Sequence, residues 1–142
     1  MKVLVHTIAT LILSIILFPW ISWNVILIFI GGVLIDSDHY LGYVLKFKKW
    51  NLFKCYKFYM ESLRTKNYGN VKDFLLIGHT VEFFIAIIAL SFFSKPILFF
   101  TIGVFFHMML DLIFIYTVSK KFLISHSILY WTFKYKILKT KI

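Results

Sequence analysis

The stretch Gly31–His39, GGVLIDSDH, ends a long apolar run and places two aspartates and a histidine directly after it. Asp36 and Asp38 are two of only four aspartates in the chain. A carboxylate at the edge of a hydrocarbon segment is costly, so its presence there indicates a functional site. The two glycines before it would let a neighbouring helix approach closely. The stretch therefore predicts a helix end that carries polar chemistry and packs against another helix.

The composition is typical of an integral membrane protein. Hydrophobic residues make up 61% of the 142 residues, and the mean hydropathy is +0.85. The formal net charge of +10 would suggest nucleic acid as the partner of a soluble protein. Here the basic residues lie mainly outside the apolar runs, where they act as topology signals and contact anionic lipid. We therefore expect a single membrane domain over residues 1–142, with membrane lipid and no nucleic acid as its partner.

The apolar run Val3–Ile35 is too long for one straight crossing of the membrane. At about 1.5 Å per residue it would extend about 50 Å, against a hydrocarbon core of about 30 Å. Pro19 supplies a break, and Trp20 and Trp23 beside it are typical of the membrane interface. No small-residue cleavage site follows, so the first run is expected to be a retained helix and not a signal peptide. The predicted helices cover about 3–18 and 21–35.

Residues 46–72 contain half of the basic residues of the chain. The positive-inside rule places this segment in the cytoplasm. Within it, apolar and aromatic residues recur at helical spacing over about 50–65, and most charges fall on the other side of the helix. This pattern predicts an amphipathic helix that either lies on the membrane surface or packs against the bundle.

The second half of the chain predicts two more membrane helices and a short tail segment. The helices cover about 74–93 and 96–118, with Pro96 in the first turn of the latter. The tail segment, about 122–133, is too short to span and is expected to lie at the interface or to re-enter. The predicted fold is all-α: four transmembrane helices, an amphipathic cytoplasmic helix and a short interfacial C-terminal helix, with both termini in the cytoplasm.

This topology brings the polar residues of the apolar segments to one leaflet. Four separate segments contribute histidine or carboxylate residues to the cytoplasmic half of the bundle, an outcome that the charge rule had no reason to produce. The predicted metal ligands are His6, Asp36, Asp38, His39, His79, His107 and Asp111, and the candidates for a catalytic base are Glu82 and Asp38.

The spacing of these residues fits metal ligation. His107 and Asp111 are four apart, and His79 and Glu82 are three apart, so each pair would share a helix face. Asp36 and His39 would do the same if the second helix continues that far, and Asp38 would then point aside unless the backbone turns there. Imidazole and carboxylate are ligands of Zn, Mn or Fe, and the set is large enough for one or two divalent ions. Taken singly, His6 could be an interfacial residue and His107–Asp111 a structural hydrogen bond.

Three motifs resemble a known family. GGVLIDSDH is similar to the Gly-x-x-x-Pro-Asp-x-Asp-His signature of the predicted membrane-bound metal-dependent hydrolases, small multi-span proteins. GHTVEF at 78–83 resembles the histidine motif of a later helix in that family, FFHMMLD at 105–111 its His-x-x-x-Asp helix, and His6 an N-terminal histidine. Ile35 stands where the family usually has proline. The resemblance implies a metal-dependent hydrolase with these residues in its site.

The sequence leaves three functions open. The first is a metal-dependent hydrolase that acts at the cytoplasmic membrane surface, with a lipid or phosphoester as its expected substrate. The second is a membrane protein that binds or translocates metal ions through the same ligands without hydrolysis. The third is a helical scaffold in which the polar residues only hold helices together.

Overall fold

The computed structural model describes residues 3–65, 74–114, 116–117 and 127–138. Across these residues the chain is helical and contains no strand, which confirms the all-α class. The α-helices are α1 (Val3–Ile21), α2 (Val25–Leu34), α3 (Ser37–Phe47), α4 (Leu52–Thr65), α5 (Val81–Ser91), α6 (Lys95–Phe114) and α7 (Ile128–Leu138). Two short 3₁₀ turns, Ser22–Asn24 and Ile77–His79, separate some of them.

The chain forms two compact units. The first consists of Met1–Ser37 and Ile85–Phe122, and the second of Asp38–Phe84 and Leu123–Ile142. The first unit contains α1, α2 and α6, and the second contains α4 and α7. The single membrane domain over residues 1–142 stays a prediction.

The chain reverses direction after α1, but not at Pro19. Pro19 lies inside α1, which continues to Ile21. The reversal comes at Ser22, whose φ of 49° is in the left-handed region, within the 3₁₀ turn Ser22–Asn24. The side-chain amide of Asn24 donates to the Ile21 carbonyl at 3.1 Å, so a side chain satisfies an acceptor at the helix end. The predicted bounds of 3–18 and 21–35 are therefore corrected to Val3–Ile21 and Val25–Leu34.

Glycines set the distance between α2 and α6 in the first unit. A Cβ on Gly31 would lie 2.2 Å from the Phe100 carbonyl oxygen, and one on Gly103 would lie 2.0 Å from the Ile28 carbonyl oxygen. No side chain fits at either place, so the two backbones touch. The close approach predicted for the glycine pair is present, with Gly31 against α6 and Gly32 against Thr10 of α1.

Two helical segments are long and apolar enough to cross a membrane. They are Val3–Phe47 and Lys95–Phe114. Within the described part of the chain, four such helices are not found. The predicted third helix, about 74–93, is shortened to Val81–Ser91, because residues 77–79 form a 3₁₀ turn and Thr80 is extended. The predicted end of the fourth helix at about 118 lies outside the described residues.

The second unit has its own small aromatic core. Tyr43 of α3, Cys55 of α4, Phe74 and Leu76 are buried together. Asn51 caps α4, since its side-chain oxygen accepts the Lys54 amide at 2.9 Å. The helix expected over about 50–65 is thus present. The tail helix α7 overlaps the predicted segment 122–133, of which residues 122–126 lie outside the described residues.

Candidate metal centres

The first unit gathers four of the predicted ligands, from here on the first cluster. His6 lies near the start of α1, Asp36 in the turn after α2, and His107 and Asp111 one turn apart on α6. His6 and His107 are almost fully buried. The ligand atoms of His6, His107 and Asp111 lie close enough together to hold one metal ion.

Both carboxylates of the first cluster face histidine nitrogens. Asp111 Oδ1 lies 3.1 Å from His6 Nε2, and Asp111 Oδ2 lies 3.4 Å from His107 Nε2. Asp36 Oδ1 lies 3.5 Å from the same His107 nitrogen. The two imidazole rings stack with centroids 3.8 Å apart and 14° between their planes.

The ring of His107 is fixed by the backbone of α2. Its Nδ1 lies 2.8 Å from the Gly32 carbonyl oxygen, which can only accept, so Nδ1 is the donor. In the neutral ring, Nε2 then carries a lone pair and faces the Asp36 and Asp111 oxygens, which are also acceptors when ionised. A proton or a metal cation must lie among these acceptors. A backbone carbonyl that holds the second nitrogen is the usual support of a metal-binding histidine.

The distances around His107 Nε2 fit an intervening metal better than a direct hydrogen bond, whereas the 3.1 Å between His6 Nε2 and Asp111 Oδ1 is a hydrogen-bond distance. Charged N–H···O bonds are about 2.7–2.9 Å long. The separations of 3.4 and 3.5 Å around His107 Nε2 exceed that range. Two ligands at about 2.05 Å from a tetrahedral ion lie about 3.3 Å apart, close to the observed spacing.

The second unit contains the other three predicted ligands, Asp38, His39 and His79, from here on the second cluster. Their ligand atoms also lie close enough together for one ion. Asp38 Oδ2 accepts the Gly78 amide at 3.0 Å and lies 3.0 Å from His79 Nδ1. Since the carboxylate accepts, Nδ1 of His79 donates and Nε2 carries the lone pair of the neutral ring. This carboxylate–histidine pair is a common way to orient a metal ligand.

Tyr59 of α4 contacts His39 of the second cluster through its hydroxyl and its ring. Its hydroxyl donates to the His39 carbonyl at 3.0 Å, and its ring meets the His39 ring edge to face with centroids 4.9 Å apart. Burial raises the pKa of the Tyr59 phenol far above its ordinary range, so the hydroxyl stays a donor. Sequence reasoning did not assign Tyr59 to the site, because an aromatic residue at helical spacing on an amphipathic helix is ordinary core sequence.

The turn after α2 overturns one predicted pairing. The spacing favoured Asp36 with His39 on one helix face and left Asp38 aside. In the structure α2 ends at Leu34, and the Asp36 amide donates to the Val33 carbonyl at 3.4 Å in a tight turn. Asp36 therefore belongs to the first cluster and His39 to the second, while Asp38, in the first turn of α3, contacts His79.

Glu82 lies at the start of α5, and the extended Thr80 separates it from His79, so the two do not share a helix face as predicted. Its carboxylate accepts hydrogen bonds from the Ser127 hydroxyl at 2.6 Å and from the Ile128 and Leu129 amides at 3.1 and 3.3 Å. These bonds, that of Ser127 foremost, lower the pKa of Glu82 to about 2. The geometry favours a fastening role over the predicted role of catalytic base.

Ser127, which donates to Glu82, is not among the site residues predicted from the sequence. Its hydroxyl oxygen also accepts the Tyr130 amide at 3.1 Å, so it is the N-cap of α7. A serine directly before an apolar segment is a known signal of a helix start, and it could have been found in the sequence. Its bond to Glu82 could not, because the two are far apart in the chain.

Comparison of the chain with protein-family models, with curated proteins and with solved structures gave no match.

Proposed function

We propose that this protein is a membrane-inserted, metal-dependent hydrolase, of the kind that its motifs resemble. The observation that carries the proposal is the environment of His107. Its Nδ1 is held by the Gly32 carbonyl, and its Nε2 faces carboxylate oxygens of Asp36 and Asp111 at 3.5 and 3.4 Å. A buried arrangement of acceptors around one nitrogen is unstable unless a proton or a metal ion lies among them, and the separations of 3.4 and 3.5 Å leave room for a metal ion.

Membrane insertion is supported by the distribution of residues on α1. The buried side chains of α1 are those of His6, Thr10 and Ser14, all polar. Its exposed side chains are large and apolar, including Leu4, Ile8, Leu11, Ile12, Ile15 and Ile16. A helix that turns apolar residues outward and polar residues inward is suited to lipid as its solvent. We infer that the first unit is the inserted part, multi-pass, with both termini of the chain in the cytoplasm as the charge rule predicts.

The donor sets fit a divalent transition metal. The first cluster offers two imidazoles and two carboxylates, and the second offers two imidazoles and one carboxylate, without any sulfur. Zn suits such ligands, and Mn or Fe are alternatives. We propose one ion for each cluster. When bound, such an ion supplies Lewis acidity and lowers the pKa of a coordinated water.

The protein side chains contribute orientation and a base. Gly32 fixes His107, and Asp38 fixes His79 through its Oδ2 atom. The other oxygen of Asp38, Oδ1, is buried and accepts no hydrogen bond from any described residue. It is therefore the better placed of the two predicted bases to take a proton from water, since both oxygens of Glu82 are occupied by the start of α7.

The proposed substrate is a lipid or a phosphoester, and the phosphoester of a lipid headgroup fits best. A site at the cytoplasmic surface would lie at headgroup depth, and the basic segment 46–72 would attract anionic lipid. This substrate class rests on the resemblance and on the charge distribution of the chain.

The test is elemental analysis of the purified protein together with two variants. We expect the wild type to retain a transition metal, His107→Ala to lose the ion of the first cluster, and His79→Ala to lose that of the second. Thr7→Val is the matched control, since Thr7 lies beside His6 on α1 but its hydroxyl bonds the Val3 carbonyl. Release of phosphate or fatty acid from mixed phospholipid vesicles measures activity.

Two results would count against the hydrolase. The proposed metal sites would be contradicted if the wild-type protein, purified without chelator, contained no metal and did not bind added Zn, Mn or Fe. Full metal content without hydrolysis of any phospholipid would support a metal-binding protein and contradict the hydrolase.

A second function, transport of a metal ion, has one observation in its favour. Thr10 and Ser14 continue the buried face of His6 along α1, one and two turns further into the apolar unit. Among the described residues their hydroxyls have no hydrogen-bond partner. A row of hydroxyls could line a cation path. Metal uptake into proteoliposomes that falls in Ser14→Ala would support transport, and uptake equal to that of empty liposomes would exclude it.

A further inference from the structure

Helix α4 buries only part of its apolar side. Cys55 and Ser62 are buried, and Phe58 and Tyr59 pack against the aromatic core of the second unit. These four positions lie on one face of the helix. Of the other apolar residues of α4, Met60 and Leu63 are partly buried, and the rest are exposed.

Three of the remaining apolar residues form a second, exposed face. Leu52, Phe53 and Tyr56 are 66%, 64% and 50% exposed. At 100° per residue they fall within one 100° sector, next to the buried face. We call these three residues the outer face of α4. An exposed cluster of large side chains on a helix indicates a surface that another phase or molecule covers.

A basic strip borders the outer face. Lys54, Lys57 and Arg64 are exposed and occupy the adjoining sector of the helix. Lys57 Nζ lies over the Phe53 ring, 4.8 Å from its centroid, so the strip and the outer face meet side by side. An apolar face edged with cations is complementary to a bilayer surface that contains anionic headgroups.

The chain connection keeps α4 near the end of an apolar segment. Only Lys48–Asn51 separate α4 from Val3–Phe47, a segment long enough to cross a membrane. Four residues reach at most about 14 Å. The Tyr40 hydroxyl donates to the Trp50 carbonyl at 2.6 Å, which fixes this connection, and the Trp50 side chain is 76% exposed. Trp is the residue type most typical of the membrane interface.

We propose that α4 binds the surface of an anionic bilayer through its outer face. Leu52, Phe53 and Tyr56 enter the boundary between headgroups and acyl chains, while Lys54, Lys57 and Arg64 contact anionic headgroups. Each basic residue near such a surface contributes about a fivefold change in partition. This binding does not depend on either metal cluster.

Spin labels at two positions of α4 test the proposal in the full-length protein. Phe53→Cys reports the outer face, and Glu61→Cys, exposed on the charged side, is the matched control. Protein without an added cysteine controls for labelling of Cys55, which is buried. The protein is reconstituted in nanodiscs of phosphatidylcholine alone or with 30% phosphatidylglycerol. Accessibility to oxygen and to a water-soluble nickel chelate measures depth.

We expect the label at 53 to become oxygen-accessible and nickel-protected in anionic nanodiscs, while the label at 61 stays nickel-accessible. Lys54→Gln with Lys57→Gln should reverse this change at 53, as should 0.5 M salt through screening. Equal nickel accessibility at 53 and 61 in anionic nanodiscs would overturn the proposal. Protection at 53 that is accompanied by dipolar broadening between labels would also overturn it, because a second copy would then cover the face.

Discussion

The two clusters contain the same kinds of side chain but are assembled in different ways. In the first, His6, Asp36 and His107 come from separate parts of the first unit and meet because helices pack closely around them. In the second, Asp38 and His39 are neighbours in the chain, and a single turn brings His79 to them. One cluster is therefore a product of helix packing, and the other depends on the hydrogen bonds of the Asp38 carboxylate to Gly78 and His79, about 40 residues further along the chain.

This difference predicts that a substitution can remove the metal from one cluster and leave it in the other. The first should be sensitive to any change in the distance between α2 and α6, even one made far from its ligands. The second should be sensitive to the hydrogen bonds of Asp38 and tolerant of changes in helix packing in the first unit. Gly103→Ala and Asp38→Asn separate these two sensitivities.

The largest effect is expected from Gly103→Ala. The new Cβ would lie 2.0 Å from the Ile28 carbonyl oxygen, so α6 must move away from α2. We expect a loss of about 3 kcal/mol in the free energy of unfolding and loss of metal from the first cluster, with the second cluster still loaded. Unfolding in detergent and elemental analysis measure the two.

Gly42→Ala is the control for this substitution. A Cβ on Gly42 would meet its nearest atom, in the Phe74 ring, at 3.4 Å, an ordinary contact. Alanine also favours the helix by about 1 kcal/mol. Gly42→Ala should therefore leave stability unchanged or raised. Equal destabilisation by both variants would show that close packing at Gly103 is not what holds the first cluster.

Asp38→Asn is expected to weaken the second cluster without unfolding the protein. Asparagine keeps an oxygen for the Gly78 amide but removes the charge that orients His79. Loss of such a supporting or ligating carboxylate typically lowers metal affinity about 10- to 100-fold. Competition with a chelator measures this change. The first cluster should keep its affinity, and a parallel loss there would contradict the separation of the two.

The sequence was sufficient for the parts of this fold that depend on local pattern. The helical class, the amphipathic α4 and the need for a reversal after α1 all follow from periodicity and length. The close approach at Gly31 follows from residue size. The gathering of His6, His107 and Asp111 was expected because alternating helices return polar residues to the same end.

The parts that the sequence did not predict depend on distant hydrogen bonds. The sequence left a turn after Ile35 open, but it did not indicate that this turn would send Asp36 and Asp38 to different clusters. The 3₁₀ turn at 77–79 interrupts an apolar segment because Asp38, about 40 residues earlier, accepts the Gly78 amide. The left-handed backbone at Ser22 also has no signal in the neighbouring sequence. Pro19, three residues earlier, is a strong signal for a helix break, but α1 continues through it.

Thr10→Val is expected to stabilise the first unit slightly. Thr10 is completely buried against Gly32, and its hydroxyl has no hydrogen-bond partner among the described residues. Valine has the same shape without the unsatisfied group, which typically costs about 1–3 kcal/mol. An increase of about 1 kcal/mol in the free energy of unfolding is therefore expected.

The control for Thr10 is Thr101→Val. The Thr101 hydroxyl donates to the Ile97 carbonyl at 2.8 Å, so its removal loses a bond. Thr101→Val should destabilise by about 1 kcal/mol. If Thr10→Val instead destabilises as much as Thr101→Val, the Thr10 hydroxyl has a partner such as bound water or a cation, which would favour the transport function.

The smallest effect is expected at the fastening between Glu82 and α7, and it depends on pH. The pKa of Glu82 is lowered from 4.5 to about 2 in the folded chain, first by the Ser127 hydroxyl. A lowered pKa means that the ionised form is stabilised by folding, so the contribution is present above about pH 4.5 and is lost as the pH falls toward 2. The protection of the Ile128 and Leu129 amides against hydrogen exchange, measured relative to their intrinsic exchange rates at each pH, should therefore fall over this range.

Glu82→Gln should show this low protection already at pH 7, without any change in metal content, because Glu82 holds the start of α7 and does not ligate. Loss of metal in Glu82→Gln would return this residue to the site.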